Sequence, residues 1–576
     1  MVNKSNHTVS FKIRSRAEIH SRLAEGLIEG GYLDRDRMDE LDHRATWLEM
    51  SLERVVLDEG VITEAGLLEM LARITGVPVM DMGKVKLERR ALNTVSVKTI
   101  VAYKIMPVSI KNGVLTLAAD HVWDVTDEDH LRVILGYTID WVLCSSKEIN
   151  ECIKHYYGVG VETFLQLKNA RDSRNGVSVK ATDDAGEDVP AFVREIIRDA
   201  IMIDATDLHI EPGENSLKVR YRIDGVLQEF PLPEGVEKYS RPIISSVKIM
   251  AQMDIAEHRI PQDGRFDIDM DKDSFDIRVS VLPMQFGETL NLRILNRQAT
   301  FLDLKQLGLA DAEYARLEGL ITLPYGMVLF TGPTGSGKTT SLYAALEHLN
   351  SDERKIITLE DPVEYQIEGI TQMQMDARIG FTFASGLRSV LRHDPDVVLI
   401  GEIRDAETAD IAVSAALTGH LVFSTLHTNN SAGALTRLLD MNVEPYLVAS
   451  GLDGVVAQRL LRMICPHCAT RIDMDDALHE ELKKFFPSLE IKPEIYQGRG
   501  CPHCRFTGYH GREPVFEIME MDDELRAMTI QHTATTEMMR RMVDKGLTTL
   551  RHNGWGKVLE GRTTVEELLR VTRNSQ

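Results

Sequence analysis

The chain is 576 residues long, 43% apolar and 27% charged, the make-up of a soluble protein with room for roughly three to five domains. No run of eighteen apolar residues occurs. Even IAVSAALTGHLVFSTL (411–426) is broken by polar and turn residues and by His420, so no bilayer span is expected. A net charge of −22 weighs against non-specific binding of nucleic acid by the chain as a whole.

The first twenty residues lack the apolar stretch of a secretory signal, so the chain is expected in the cytosol, where thiols stay reduced. Residues 20–80 read as helices with a weak internal repeat. RLAEGLIEGGYLDRDRMDEL (22–41) and LERVVLDEGVITEAGLLEML (52–71) each give a periodic helix, a Gly turn and a second helix. Residues 98–157 read as α/β, with short strands at IMPVSI and VLTLAA and a helix near SKEINECIKHYYG. Residues 161–187 are polar and aperiodic, which predicts a linker.

LKVRYRIDGVLQEF (217–230) alternates around an Asp-Gly pair, a hairpin signal, and GRFDIDMDKDSFDIRVSVLP (264–283) alternates again. Phe275, Ile277, Val279 and Val281 share one face, with Asp276, Arg278 and Ser280 on the other. Lys218, Arg220 and Arg222 likewise oppose Leu217, Val219, Tyr221 and Ile223. On alternation alone the basic-to-mixed face is a solvated sheet surface. From about 300 to 464 strands alternate with helices, which predicts a parallel sheet, and after 515 the chain reads as mostly helical.

PYGMVLFTGPTGSGKTTSLYAALEHL (324–349) carries G-x-x-x-x-G-K-T at Gly332–Thr339, after an apolar strand and before an amphipathic helix. In that setting the N–H groups of Thr334, Gly335, Ser336, Gly337 and the helix start converge on phosphate oxygens. Lys338 reaches the β- and γ-phosphates and the Thr339 hydroxyl ligates Mg²⁺, with Thr340 beside it. Three more apolar strands end in polar residues. KIITL runs into Glu360, Asp361 and Glu364; DVVLI runs into Gly401 and Glu402; HLVFSTL runs into His427. Ligands of parallel sheets bind beyond the carboxyl ends of the strands, so these groups are expected around the phosphates. Where a common Walker B strand has Asp before Glu, this one has Gly401, leaving Glu402 alone or with Asp361 or Glu364.

These segments resemble a known family. GPTGSGKTT, ITLEDPVEYQ, RHDPDVVLIGEIRDAETA and TGHLVFSTLHTNNSAGALTRL are similar to the Walker A, Asp-box, Walker B and His-box motifs of the ATPases of type II secretion and type IV pilus assembly. Upstream, DLHIEP, VRYRIDGVL and IAEHRIPQDGR are similar to the domain that precedes the motor there. The resemblance spans about 188–576. It implies an α/β multidomain fold: a RecA-like P-loop core at 299–576, with a zinc-binding insertion at 465–504 and a helical part at 515–576. Before it stand a small PAS-like α/β domain at 188–298 and an N-terminal helical plus α/β docking domain at 1–160. It also implies a cytosolic homohexamer that hydrolyses ATP with Mg²⁺ and works through an inner-membrane platform protein. Glu360, Asp361 and Glu364 then belong to the Asp box, where the catalytic carboxylate lies, and His420 and His427 to the His box. Arg222, Arg265 and Arg278 become candidates for closing over the phosphates.

Some relatives of the N-terminal domain bind cyclic di-GMP through R-L-G-x-x-L motifs ending in Gln. Here RLAEGL has Ala24 in place of the Gly, LERVVL lacks the Arg-Leu-Gly start, and neither has the Gln. These departures argue against cyclic di-GMP and for docking.

CPHC occurs twice, at Cys465–Cys468 and Cys501–Cys504, with 32 residues between the pairs. Such a tetrapeptide serves either as a redox dithiol at a helix start in a thioredoxin-like setting, or as half of a tetrahedral zinc site. Two copies in a reducing compartment, neither in that setting, favour one zinc ion on Cys465, Cys468, Cys501 and Cys504, with His467 and His503 as substitute ligands. The resemblance adds that the assembly and secretion branches carry such a site. Two rivals share a P-loop core. A nucleic-acid translocase is disfavoured by the acidic charge, and a non-hydrolysing nucleotide-gated scaffold is suggested by the missing Walker B Asp.

Overall fold

The computed structural model describes all residues except 1–14, 49, 175–187, 271–272, 297–302, 488, 490 and 574–576. The chain divides into two compact units. One comprises residues 1–266, 278–293 and 499–507, the other 267–277, 294–498 and 508–576. Among the described residues no helix is long and apolar enough to cross a membrane.

The first unit begins with four helices, Arg16–Glu29, Arg35–Trp47, Leu52–Asp58 and Glu64–Thr75, of which the first packs on the fourth and the second on the third. Ile19, Leu23 and Leu27, four apart, bury one stripe of the first helix. Asp34, Ser51 and Thr63 cap the other three by accepting N–H groups of Arg37, Arg54 and Gly66. Strands β1 (Met106–Lys111), β2 (Val114–Ala119) and β3 (Thr138–Leu143) form a small sheet, antiparallel then parallel. The helix Ser146–Tyr157, held by a Ser145–Glu148 capping box, packs on it.

The expected linker is different. Val161–Arg174 is helical, and Val161, Phe164 and Leu167 are buried, with the Phe164 and Phe192 rings 5.9 Å apart. Apolar residues every three positions outweigh the polar composition around them. Residues 175–187 lie outside the described residues.

After the helix Asp188–Met202 comes a six-stranded sheet made of β4 (Asp207–Pro212), β5 (Leu217–Ile223), β6 (Val226–Phe230), β7 (Gln262–Met270), β8 (Asp273–Met284) and β9 (Gly287–Asn296), in the order β6-β5-β4-β9-β8-β7. The alternation read from the sequence holds in β5 and in β8 up to Val281: Leu217, Val219, Tyr221, Ile223, Phe275, Ile277, Val279 and Val281 are buried, and the Lys, Arg, Asp and Ser residues between them are not. The helix Ser240–Met250 joins β6 to β7. The segment 499–507 belongs to this unit, and its Phe506 ring lies 4.2 Å from that of His155.

In the second unit, apolar runs without alternation make strands buried on both faces, as a sheet covered by helices on both sides requires. These are β10 (Gly326–Thr331), β11 (Ile356–Glu360), β13 (Val397–Ile400), β14 (Leu421–Leu426) and most of β15 (Leu452–Ile464), while the polar β12 (Thr371–Gln374) forms a partly exposed edge. The order is β12-β11-β13-β14-β10-β15, all parallel. Beyond β15 the chain forms the two-stranded sheet β16 (Ala469–Ile472) and β17 (Ile495–Gly498). It then returns antiparallel to β15 as β18 (Tyr509–Glu520), so a strand continues to 520 where helix was expected from 515. Four helices between Asp523 and Thr572 finish the chain, with Trp555 fully buried among them. A parallel sheet with a P-loop after β10 and helices on both faces is a RecA-like core.

Candidate active site

Strand β10 ends at Thr331, the loop Gly332–Gly337 follows, and the helix Lys338–Leu349 starts at once. Gly337 has φ +88°, and a Cβ there would lie 2.8 Å from Gln458 Nε2, so the position suits glycine alone. Thr334, Gly335, Thr339 and Thr340 are exposed, whereas Ser336 is buried. Lys338 is 9% exposed, and its Nζ donates to the carbonyls of Gly332 at 2.7 Å and Pro333 at 3.1 Å. Burial and the nearby Arg459 guanidinium lower its pKa from 10.5 to about 8, against the pull of Glu402. Arg459, on β15, is itself buried and donates to the carbonyls of Gln458 and Asn429 at 2.9 and 2.7 Å. Two buried cations beside a glycine loop and a helix start make a place for an anion. Neither Gln458 nor Arg459 was singled out from the sequence, because only the pairing of β15 with β10 brings them here.

The register aligns the neighbouring strand ends. Thr331 pairs with Leu426, Ile400 with Ser424, and Leu359 with Ile400. Glu402, Asp361 and His427, which follow those ends, therefore gather. Arg404 pairs with Glu402 and also stands 3.8 Å from Asp361, while His427 Nε2 is 3.4 Å from Glu402 Oε2. Burial pushes the Glu402 carboxyl up, but Arg404 and His427 outweigh it and hold it below the ordinary carboxylate range. Glu402 is thus an anion ready for a metal or for metal-bound water.

Glu360 is placed differently. It is buried, and its carboxylate accepts from Tyr343 Oη, from Thr358 Oγ1 at 2.6 Å and from Gln372 Nε2 at 3.2 Å. The N–H of Glu364 donates to the same Tyr343 hydroxyl at 3.4 Å. At Gly401 a Cβ would lie 3.2 Å from the Leu359 carbonyl, tighter than side chains ordinarily sit, so an aspartate there would have to push that backbone by a few tenths of an ångström. His420 is not brought to this cluster. It precedes β14, its carbonyl accepts from Gly326 N at 3.0 Å and its Nδ1 donates to the Ala415 carbonyl at 3.0 Å. It therefore stands at the opposite end of the strand from His427, about 20 Å away by strand rise.

The three candidate arginines lie in the first unit. Arg222 donates to the Gly225 carbonyl at 3.2 Å and stands 3.4 Å from Asp207. Arg265 is exposed on β7, and Arg278 is half-buried on the polar face of β8.

The four cysteines Cys465, Cys468, Cys501 and Cys504 are buried and not joined as disulfides, with all four sulfurs within 4.8 Å of one another and Cys501 Sγ 3.7 Å from Cys504 Sγ. A tetrahedron of thiolates around zinc puts its sulfurs about 3.8 Å apart, so the set fits such an ion, which would act as a structural staple. The two histidines of the CPHC pairs are not members of this group.

A family model described as type II/IV secretion system protein matches residues 182–570, and a MshEN domain model matches 75–163. The chain is 38% identical over 573 residues to the type II secretion system protein E of Xanthomonas campestris, covering 97% of this chain and 100% of that one. It is 46% identical over 398 residues to the type II secretion system ATPase E of Vibrio cholerae, covering 69% and 77%. With the type IV pilus assembly ATPase PilB of Myxococcus xanthus it shares 39% identity over 527 residues, covering 88% and 91%. With the P-loop and its neighbouring carboxylates in place on a RecA-like core, the chain belongs to the type II/IV secretion system ATPase family.

Proposed function

We propose that this protein is a Mg²⁺-dependent ATPase. It works as a homohexamer at the cytoplasmic face of the inner membrane and drives type II secretion or type IV pilus assembly through an inner-membrane platform protein. The observation that carries this reading is the convergence of Lys338, Glu402, Arg404, Asp361 and His427 at the carboxyl ends of parallel strands. Lys338 exchanges the carbonyls of Gly332 and Pro333 for the β- and γ-phosphates. Thr339 and Glu402 would hold Mg²⁺, which supplies charge neutralisation on the phosphate oxygens. Asp361 or Glu364 orients the water for in-line attack on the γ-phosphate, and His427, paired with Glu402, senses whether that phosphate is present. Glu360 is left out of this step, because its carboxylate is already committed to Tyr343, Thr358 and Gln372. Arg222, Arg265 and Arg278 neutralise charge that develops on the phosphates.

The four cysteines hold zinc as a staple. Residues 1–160 dock to a partner, and the motif departures argue against cyclic di-GMP there; saturable micromolar binding of labelled cyclic di-GMP to the full chain would overturn that part. The test of the main reading is Lys338→Ala. Steady-state phosphate release should vanish while the far-ultraviolet circular dichroism stays unchanged, and substantial remaining hydrolysis would refute the site. Parent protein without phosphate release would favour the nucleotide-gated scaffold, and hydrolysis stimulated by DNA would favour a translocase.

A further inference from the structure

Folding takes a charged side chain out of water at considerable cost, and the usual compensation is a partner of opposite charge. Arg459, 5% exposed on β15, has none: among the described residues no carboxylate lies within ion-pair distance of its guanidinium. Its contacts are two backbone carbonyls, Gln458 at 2.9 Å and Asn429 at 2.7 Å. The anion whose charge acts on it from farther away is Glu517. That carboxylate is fully buried and already accepts from Ser431 N at 2.8 Å, Ser431 Oγ at 2.6 Å and Leu550 N at 3.2 Å. Lys338 is held in the same way, buried with its Nζ on the carbonyls of Gly332 and Pro333.

Both cations bear on one loop. A Cβ on Gly332, whose carbonyl holds Lys338, would lie 2.9 Å from Arg459 Nη1, so the guanidinium is pressed against the first residue of the P-loop. The side chain of Gln458 meets the other end of the loop, where a Cβ on Gly337 would lie 2.8 Å from its Nε2. Two further polar atoms, Ser336 Oγ and Gln458 Oε1, are buried without a hydrogen-bond partner. Buried polar atoms left unpaired in a native fold need an explanation. Here they belong to the same loop and strand as the two cations. Burial first, and then the positive charge of Arg459, push the Lys338 pKa down. Two like charges side by side, each resting on carbonyl dipoles alone, are balanced only when a polyanion enters.

We infer that Arg459 is a second phosphate-binding cation of the P-loop, which leaves the Gln458 and Asn429 carbonyls for nucleotide phosphate as Lys338 leaves those of Gly332 and Pro333. The inference rests on the reading that this loop binds nucleotide, and it adds a ligand from β15, outside the sequence motif. All of these residues belong to the second unit. In the empty protein the guanidinium is an electrostatic burden, and the ligand relieves it.

The test is binding of Mg²⁺–ADP to the full chain, with inorganic pyrophosphate as competitor, in Arg459→Gln, Arg459→Lys and Lys338→Met. Gln keeps a donor for one carbonyl and loses the charge; Lys keeps the charge and loses the fork. Arg459→Gln should raise the Kd of both ligands about tenfold or more, and Arg459→Lys should fall between that variant and the parent. Without the guanidinium Lys338 ionises at higher pH, so the increase of the ADP Kd with pH should be shallower in Arg459→Gln than in the parent. A thermal melt separates a ligand-binding arginine from a structural one. An uncompensated buried cation lowers stability, so Arg459→Gln without nucleotide should melt no earlier than the parent and should gain less from added Mg²⁺–ADP. A Gln variant that fails to fold or melts earlier overturns the inference, as do parent-like Kd values. An Arg459→Lys variant as weak as Arg459→Gln overturns it too, because charge would then be irrelevant. If Lys338→Met binds ADP as the parent does, the P-loop reading itself fails and this role goes with it. Weak binding by Lys338→Met beside parent-like binding by Arg459→Gln sinks this inference alone.

Discussion

Raising the pH should loosen nucleotide binding, because the P-loop ammonium titrates at about pH 8, well below an ordinary lysine. Lys338 has a pKa of about 8, lowered first by burial and then by Arg459. Bound phosphate replaces two carbonyl dipoles with full negative charge, which returns the pKa toward its ordinary value. Between pH 7.5 and 9 the protonated fraction of the empty site falls from about three quarters to about one tenth. The nucleotide Kd should therefore rise about eightfold, or about 1.2 kcal/mol. A fluorescent ADP analogue titrated in Mg²⁺ buffer at four pH values measures this directly. Calorimetry in two buffers of different ionisation enthalpy should show about one proton taken up per nucleotide at pH 9 and about a quarter at pH 7.5. Lys338→Met should bind weakly throughout and lose the slope. The sign for folding runs the other way: a lysine whose folded pKa lies below its unfolded value costs stability below pH 8, and the cost is relieved as the pH rises toward 10.5. A Kd constant within twofold from pH 7.5 to 9, or no proton uptake at pH 9, would refute the reasoning.

Three further outcomes are expected. Cys465→Ser/Cys501→Ser should lose bound zinc, measured by elemental analysis, and lower the thermal midpoint; zinc absent from the parent would remove the staple from the account. Buried Glu567 takes hydrogen bonds from Arg462 and Arg570, which overcome the upward push of burial and hold its pKa at about 2. Glu567→Gln should cost about 3 kcal/mol near pH 7, and that difference should shrink as the pH falls from 4.5 toward 2; equal denaturation midpoints at pH 7 would contradict it. Gly401→Asp, which restores the common Walker B residue, should lower kcat about tenfold and reduce stability, because its Cβ meets the Leu359 carbonyl. A kcat at or above that of the parent would show that the backbone there has room.

The parts legible in the sequence were those set by local pattern. The strand–glycine loop–helix order around Lys338 is visible in a single window, and so is the alternation that places Arg222 and Arg278 opposite apolar neighbours in β5 and β8. The gathering of Asp361, Glu402 and His427 followed from one topological rule about parallel strands. What stayed hidden depends on register between distant segments. Arg459 reaches the P-loop only because β15 lies beside β10, and Lys248 meets Glu288 forty positions away. The two histidines of one motif looked equivalent in the text, yet a six-residue strand separates them. At 161–174 composition misled, because the spacing of Val161, Phe164 and Leu167 carried more information than the polar residues between them.

Tyr343, on the second turn of the P-loop helix, hydrogen-bonds Glu360, accepts the N–H of Glu364, and sets its ring edge-on to Tyr365 at 4.6 Å. The helix that begins at the phosphates is thereby riveted to the turn that carries Asp361 and Glu364. A displacement of one is a displacement of the other, so the start of the P-loop helix and the turn that carries Asp361 and Glu364 move as one lever arm.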